Sequence, residues 1–185
     1  YPAGAGALPT GRGGIAVKNI VLIGLSGCGK TTMAPLIAEA LGMDVVDMDE
    51  EIVRTAGCSI AEIFASQGEQ AFRDMETDCA RQCGALTGTV ISTGGGVVLR
   101  EENMNALSQN GLVVFLDRSP REIAGEDLSD RPLVAEDVSR LYTLYEQRLP
   151  LYRRWAAVTV VNTGPVIQVA EQLIHQITEA LSCEV

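Results

Sequence analysis

The chain has 185 residues, of which 46% are hydrophobic, and its 14 lysines and arginines stand against 24 aspartates and glutamates for a net charge of −10. A chain of this length and apolar content can bury one sizeable core, so we expect a single domain. The acidic balance argues against general binding to nucleic acid or to an anionic membrane surface, which both require an excess of positive charge. Each basic residue that could meet a phosphate or a carboxylate is therefore informative.

The five cysteines show neither a disulfide framework nor a zinc pattern. Their number is odd and no two of them form a C-x-x-C pair, unlike the cysteines of small secreted domains and zinc sites. We expect reduced thiols, with Cys79 and Cys83 as small buried side chains of one helix. No apolar stretch approaches the roughly 20 residues that cross a membrane. The expected location is therefore cytoplasmic.

The elements alternate along the chain. Residues 1–17 carry five glycines and two prolines, so we expect a flexible linker there. Short apolar runs predict strands at 20–23, 45–48, 90–92, 112–116 and 158–161. Helices are predicted at 30–41, from 50 to about 83, at about 101–109, and at 134–148 and 167–181, with a polar loop before residue 134. Five short strands separated by helices predict a parallel sheet covered on both faces, with ligands beyond the carboxyl ends of the strands.

Residues 24–31 read Gly-Leu-Ser-Gly-Cys-Gly-Lys-Thr, which completes the pattern G-x-x-x-x-G-K-[ST] between a predicted strand and a predicted helix. This pattern indicates a phosphate-binding loop, whose backbone N–H groups surround phosphate oxygens at a helix N-terminus. We expect Lys30 to reach the β and γ phosphates and Thr31 to offer its hydroxyl to Mg²⁺. The predicted ATP-binding residues of this loop are Gly27, Cys28, Gly29, Lys30, Thr31 and Thr32.

Two carboxylates follow the second predicted strand. Asp47 and Asp49 share one face if the strand continues through both, because side chains alternate along a strand. Their spacing suits Mg²⁺ on one carboxylate and a substrate hydroxyl on the other. The residues leave a second interpretation open, in which either aspartate caps the helix that contains Glu50.

Four further features follow in the chain. They are Gly68-Glu69-Gln70-Ala71-Phe72-Arg73, Thr93-Gly94-Gly95-Gly96, Asp130-Arg131-Pro132-Leu133 and Leu149-Pro150-Leu151-Tyr152-Arg153-Arg154. The three glycines follow a predicted strand and allow backbone to approach a ligand closely. The last segment predicts a helix broken by proline and followed by two cations. Each arginine alone is typical of a solvated surface, and only their joint order indicates a site.

In this order the motifs resemble the shikimate kinase family, from about residue 18 to about residue 181. The resemblance rests on the phosphate loop, the D-x-D of Asp47 and Asp49, the segment 59–73, the triple glycine, Arg131-Pro132-Leu133 and Tyr152-Arg153. It implies a three-layer α/β/α fold of the P-loop kinase type, with a five-stranded parallel sheet in the order 2-3-1-4-5. The domain would span residues 18–185, with a short lid at about 120–133.

The resemblance also implies an activity and residue roles. The activity is ATP-dependent phosphorylation of the 3-hydroxyl of shikimate, a step of aromatic amino acid biosynthesis, with Mg²⁺ as the cofactor. The residues implied to hold shikimate are Asp49, Arg73, Gly94, Gly95, Gly96 and Arg153, with Arg73 and Arg153 on its carboxylate. Asp49 would orient or deprotonate the attacking hydroxyl, and Thr31 and Asp47 would carry Mg²⁺. Lys30 and Arg131 would neutralise the transferred γ-phosphoryl group. The family likeness favours a monomer with no nucleic-acid or membrane partner.

One departure from the family pattern concerns the lid. Family lids carry a second basic residue several positions before the equivalent of Arg131, whereas residues 123–130 here are acidic and Arg121 is the nearest cation upstream. We therefore expect a high KM for ATP, which a low-micromolar value would contradict. A gluconate kinase or a nucleoside monophosphate kinase would explain the phosphate loop alone. A nucleotide-dependent binding module without catalysis is the other alternative, and Lys30, Asp49 and Arg131 argue against it.

Overall fold

The computed structural model describes residues 18–127 and 135–183, and they form an α/β/α sandwich. Its strands are β1 (Asn19–Ile23), β2 (Asp44–Asp47), β3 (Thr89–Ser92), β4 (Gly111–Asp117) and β5 (Val158–Val161). Its helices are α1 (Lys30–Leu41), α2 (Met48–Ala56), α3 (Ile60–Gly84), α4 (Glu101–Ser108), α5 (Pro120–Asp127), α6 (Ala135–Trp155) and α7 (Val166–Ser182). The strands pair in parallel in the order β2-β3-β1-β4-β5, which confirms the expected sheet.

The central strand β1 shows why this sequence makes a sheet buried on both faces. All five of its residues are buried, and its apolar side chains alternate between two cores. Ile20 and Leu22 pack with α1 and α7, whereas Val21 and Ile23 pack on the side of α2, α3 and α6. A continuous apolar run is typical of such a strand, because neither face meets water. The described helices include none that is both long and apolar enough to cross a membrane.

The helix α5 occupies part of the segment expected to be a polar loop. It begins after Ser119, whose hydroxyl accepts a hydrogen bond from the Glu122 N–H at 3.3 Å, while the Glu122 carboxylate accepts one from the Ser119 N–H at 3.2 Å. This reciprocal pair is a capping box, which satisfies two N–H groups that otherwise have no partner at a helix start. The expected loop was therefore wrong over Pro120–Asp127, because the capping box of Ser119 and Glu122 starts a helix there.

The helix α6 continues to Trp155 instead of breaking before Pro150. A proline inside a helix removes one hydrogen bond and costs about 3 kcal/mol. Packing offsets this cost: the ring of Tyr152 is fully buried and stacks on Phe115 with 5.0 Å between the centroids, and its hydroxyl donates to the Gly95 carbonyl at 2.5 Å. The expected break was therefore wrong, and the helical period fixes where every side chain of α6 points.

Candidate active site

The phosphate-binding loop joins β1 to α1 at the carboxyl edge of the sheet. Gly29 caps α1 with φ of 103°, a conformation that favours glycine, and a Cβ there would lie 2.6 Å from the side chain of Asn162. Asn162 in turn donates to the Cys28 carbonyl at 2.7 Å. The Lys30 ammonium group is buried and donates to the carbonyls of Gly24 and Leu25, at 2.8 and 3.0 Å. The loop is therefore held by a hydrogen bond from Asn162, which follows β5, and it surrounds the positive charge of Lys30.

Asp47 is the last residue of β2 and the N-cap of α2. Its Oδ1 atom accepts hydrogen bonds from the N–H groups of Asp49 and Glu50, at 2.9 and 3.3 Å. Its Oδ2 atom accepts one from the Thr31 hydroxyl at 3.1 Å. The capping interpretation therefore holds for Asp47, and the same carboxylate also reaches the phosphate loop.

Asp49 does not share a strand face with Asp47, contrary to our expectation. The strand ends at Asp47, because its carboxylate starts a helix, and Asp49 lies in the first turn of α2. Burial raises the pKa of the Asp49 carboxyl, and the negative charge of Asp47 adds to the rise, while the positive charges of Lys30 and Arg73 oppose it. Asp49 thus lies between the lysine of the phosphate loop and an arginine of α3.

Arg73 is held on α3 by two carboxylates. Its guanidinium group contacts Glu76 Oε2 at 2.8 Å and Glu69 Oε1 at 3.3 Å, and it lies over the Phe72 ring. A Cβ added to Gly96 would overlap this guanidinium group. The glycine therefore leaves the space that Arg73 occupies at the end of β3.

Glu76 is a buried carboxyl group that the sequence analysis missed. Its Oε2 atom pairs with Arg73, but its Oε1 atom has no hydrogen-bond partner among the described residues and faces Gly94, 3.1 Å from where a Cβ would be. Burial raises the pKa of Glu76, and the hydrogen bond and charge of Arg73 oppose the rise. A buried acceptor without a partner is costly. A hydroxyl donor on a bound molecule would satisfy it.

Arg148, and not Arg153, is the arginine of α6 that lies beside the triple glycine. Its Nη1 atom lies 3.5 Å from where a Cβ on Gly95 would be, and its charge lowers the pKa values of Glu76 and Tyr152 against the rise that burial causes. Arg153 is exposed, and its charge acts instead on Tyr145, whose hydroxyl donates to Asp117 at 2.9 Å.

The helical period explains why Arg148, and not Arg153, lies beside the triple glycine. Because α6 is continuous through Pro150, Arg153 is turned by about 140° from Arg148 around the helix axis. Arg148 shares its face with the buried Tyr152, four residues further on. A prediction that continued the helix through the proline could have found Arg148 from this spacing.

The triple glycine lies between the phosphate loop and the two arginines, Arg73 and Arg148. Gly94, Gly95 and Gly96 are buried between β3 and a 3₁₀ turn at Val97–Leu99. A Cβ on Gly95 would lie 2.9 Å from the N atom of Ser26 in the phosphate loop. The backbone of Gly95 therefore contacts the backbone of the phosphate loop, close to Arg73 and Arg148.

The structure thus brings together most of the predicted site residues. The phosphate-loop residues Gly27, Gly29, Lys30, Thr31 and Thr32 line one cavity, and Cys28 contributes its backbone to the same loop. Asp47, Asp49, Arg73 and the three glycines border this loop on the side of β2 and β3. Arg131 lies outside the described residues.

The comparisons with known proteins agree with this geometry. A family model described as shikimate kinase matches residues 26–179. A shikimate kinase of Thermodesulfovibrio yellowstonii is 43% identical over 167 residues, 86% of this chain and 95% of the relative, and one of Clostridium botulinum is 38% identical over 159 residues, 85% and 96%.

Solved structures show the same relationship. The shikimate kinase of Acinetobacter baumannii in complex with shikimate aligns with a TM-score of 0.81 and 34% identity, over 88% of this chain and 94% of that one. A gluconokinase of Sinorhizobium meliloti aligns with a TM-score of 0.61 and only 16% identity, so it shares the fold alone. With these matches over most of its length, the chain belongs to the shikimate kinase family, a family of kinases that use ATP.

Proposed function

We propose that this chain transfers the γ-phosphoryl group of ATP to the 3-hydroxyl of shikimate. The observation that carries the proposal is the position of Asp49, whose Oδ1 atom lies 3.0 Å from where a Cβ on Gly94 would be, and whose pKa is lowered by the charges of Lys30 and Arg73 against the rise that burial causes. A carboxylate placed between a phosphate site and a pair of arginines suits an acceptor that carries both hydroxyl groups and a carboxylate. The Acinetobacter relative, solved with shikimate, supports this acceptor.

Arg73 and Arg148 hold the acceptor's carboxylate in this proposal. Both guanidinium groups lie against neighbouring glycines, Gly96 and Gly95, so they border the same stretch of backbone. Charge-assisted hydrogen bonds from two arginines fix a carboxylate in position as well as in charge. The ion pair with Glu76 keeps Arg73 in place, and the exposed Arg153 takes no part in the proposed contact.

Asp49 orients the attacking hydroxyl and accepts its proton. The 3-oxygen forms a bond to the γ-phosphorus, the bond from that phosphorus to the β,γ-bridging oxygen breaks, and ADP leaves with the bond's electrons. The raised pKa brings Asp49 closer to the pH at which it can take a proton, although positioning supplies most of the catalysis. Lys30 and Arg131 are proposed to neutralise charge on the transferred group.

The pair of Thr31 and Asp47 fits Mg²⁺ that arrives with ATP. A hydroxyl and a carboxylate oxygen lie 3.1 Å apart beside the phosphate loop, and both are hard oxygen ligands. The described residues contain no cluster of three or more His, Cys, Asp or Glu side chains that could cage an ion. Mg²⁺ commonly takes one or two protein ligands and completes its shell with phosphate and water. When bound, the ion would neutralise charge on the β and γ phosphates.

The proposal is tested by ADP release in a coupled assay with Mg²⁺ and ATP. Shikimate should stimulate ADP formation strongly, whereas gluconate, a polyol acid of similar charge, should not. ATP binding without stimulation by shikimate would overturn the proposal in favour of a binding module. Stimulation by gluconate would assign another small-molecule kinase. The monomeric state and the cytoplasmic location stay predictions.

A further inference from the structure

A cavity of about 290 Å³ extends from the phosphate loop towards β4 and β5. Its size is near the lower end of the range for small-molecule sites, about 300–1,000 Å³. Beyond the loop, the described residues that line it are Met33, Arg118, Asn162, Gly164 and Val166. The charged side chains among the described lining residues are those of Lys30 and Arg118, and both are positive. The mechanism above uses Lys30 and leaves Arg118 without a role.

The backbone at Arg118 is fixed on both sides. The preceding residue, Asp117, ends β4, and its carbonyl accepts a hydrogen bond from the Asn162 N–H at 2.7 Å. The following residue, Ser119, begins the capping box of α5. A side chain that starts between a paired strand and a capped helix is placed more accurately than one on a loop. Arg118 therefore lines the cavity from a rigid backbone frame.

The connection from β5 to α7 contributes an apolar side to the same cavity. Val166 lines the cavity although 44% of it is exposed, and its neighbour Ile167 is 60% exposed. Gly164 has φ of 109°, and the described part of the chain has no atom within 4 Å of where its Cβ would be. The cavity thus has a phosphate-binding end and another end with a planar cation and an exposed aliphatic side chain. A flat aromatic base matches that second end, because guanidinium groups stack on aromatic rings.

We propose that Arg118 is a base-binding residue of this chain, whose guanidinium group packs on the adenine ring of ATP beside Val166. The inference rests on the proposed ATP site and adds the contact that recognises the base. In the sequence between Arg121 and Arg131 the charged residues are all acidic: Glu122, Glu126, Asp127 and Asp130. Arg118 supplies the cation from the sheet edge instead of from the lid.

The test separates the base from the phosphates by comparing ADP with inorganic tripolyphosphate, which has no base. Binding of each to the full chain is measured by calorimetry for the wild type, Arg118→Ala, Arg118→Lys and the control Arg121→Ala. Arg121 is exposed on α5 and outside the cavity lining, which makes it a matched arginine. We expect Arg118→Ala to weaken ADP about 3- to 30-fold, the range of a cation–π contact. Its tripolyphosphate affinity should stay within about twofold.

The other variants sharpen the expected pattern. Arg118→Lys should recover only part of the ADP affinity, because an ammonium group cannot stack as a plane. Arg121→Ala should leave both ligands unchanged. Shikimate binding and the melting temperature show whether each variant is folded, and Arg118→Gln, which keeps most of the side-chain stem, replaces the alanine variant if that one unfolds.

Two results would overturn the inference while the proposed function stands. One is unchanged ADP affinity in Arg118→Ala. The other is an equal loss for ADP and tripolyphosphate, which would place Arg118 on the phosphates. Failure of the wild type to bind ADP is a different outcome, because it would remove the proposed function and this inference together.

Discussion

Asp49 is the side chain on which the proposed chemistry depends most. Replacing it with asparagine removes the proton acceptor and keeps the shape, while the phosphate loop is untouched. We expect kcat to fall at least about 100-fold, the lower range for loss of a general base, with ADP affinity within about twofold of the wild type. Steady-state kinetics and calorimetry measure the two quantities. A turnover near that of the wild type would remove Asp49 from the mechanism.

The pKa of Asp49 also links this residue to stability. Because its pKa is raised in the fold, the ionised carboxyl costs stability above that pKa, and the cost disappears when acidification protonates it. Asp49→Asn should therefore melt at a higher temperature than the wild type at pH 7, and the difference should shrink towards pH 4. Thermal unfolding at several pH values measures this. A less stable variant at pH 7 would show that Lys30 and Arg73 outweigh burial.

Arg148 and Arg153 give a matched pair of substitutions on one helix. Arg148→Ala removes a charge-assisted contact of about 1.5–3 kcal/mol, so we expect the KM for shikimate to rise about 10- to 150-fold. Arg153→Ala removes an exposed arginine turned away from the site, and that KM should stay within about twofold. Initial rates at saturating ATP give both values. The reverse pattern would restore the assignment expected from the sequence.

At the scale of elements, the triple glycine packs the end of β3 closely against the phosphate loop. In Gly95→Ala the new Cβ would meet backbone and side-chain atoms of Ser26 at 2.9 and 2.8 Å, and the backbone atom cannot move without displacing the loop. We therefore expect the KM values for ATP and shikimate to rise together. Gly125→Ala is the control, since no atom of the described residues lies within 4 Å of its added Cβ. A rise in the shikimate KM alone would show that the substitution does not displace the phosphate loop.

The elements also show what the sequence could predict. Apolar runs located the strands to within a residue or two, and the ligand-binding edge followed from parallel order, because both depend on local composition. The positions of Asp49 and Arg148 were harder to predict, because the direction of each side chain depends on where a neighbouring strand ends or a helix continues. Asp47 ended β2 by capping α2, and the burial of Tyr152 carried α6 through a proline. Glu76 gave no local signal, since only tertiary packing buries it.

At the scale of the whole molecule, one edge of the sheet assembles the site from four strands. The phosphate loop follows β1, Asp47 ends β2, the triple glycine follows β3 and Arg118 follows β4. The helices α3 and α6 bring Arg73 and Arg148 to the same edge, beside the triple glycine. Donor and acceptor can therefore lie in one continuous site, as direct phosphoryl transfer requires.

The most direct measurement identifies the product formed from ATP and shikimate by phosphorus and proton nuclear magnetic resonance. We expect one new phosphate ester, coupled to the proton on carbon 3 of shikimate and formed in equal amount to ADP. ADP formed without any ester, or an ester at a different hydroxyl, would contradict the arrangement in which Asp49 directs that oxygen at the phosphate loop.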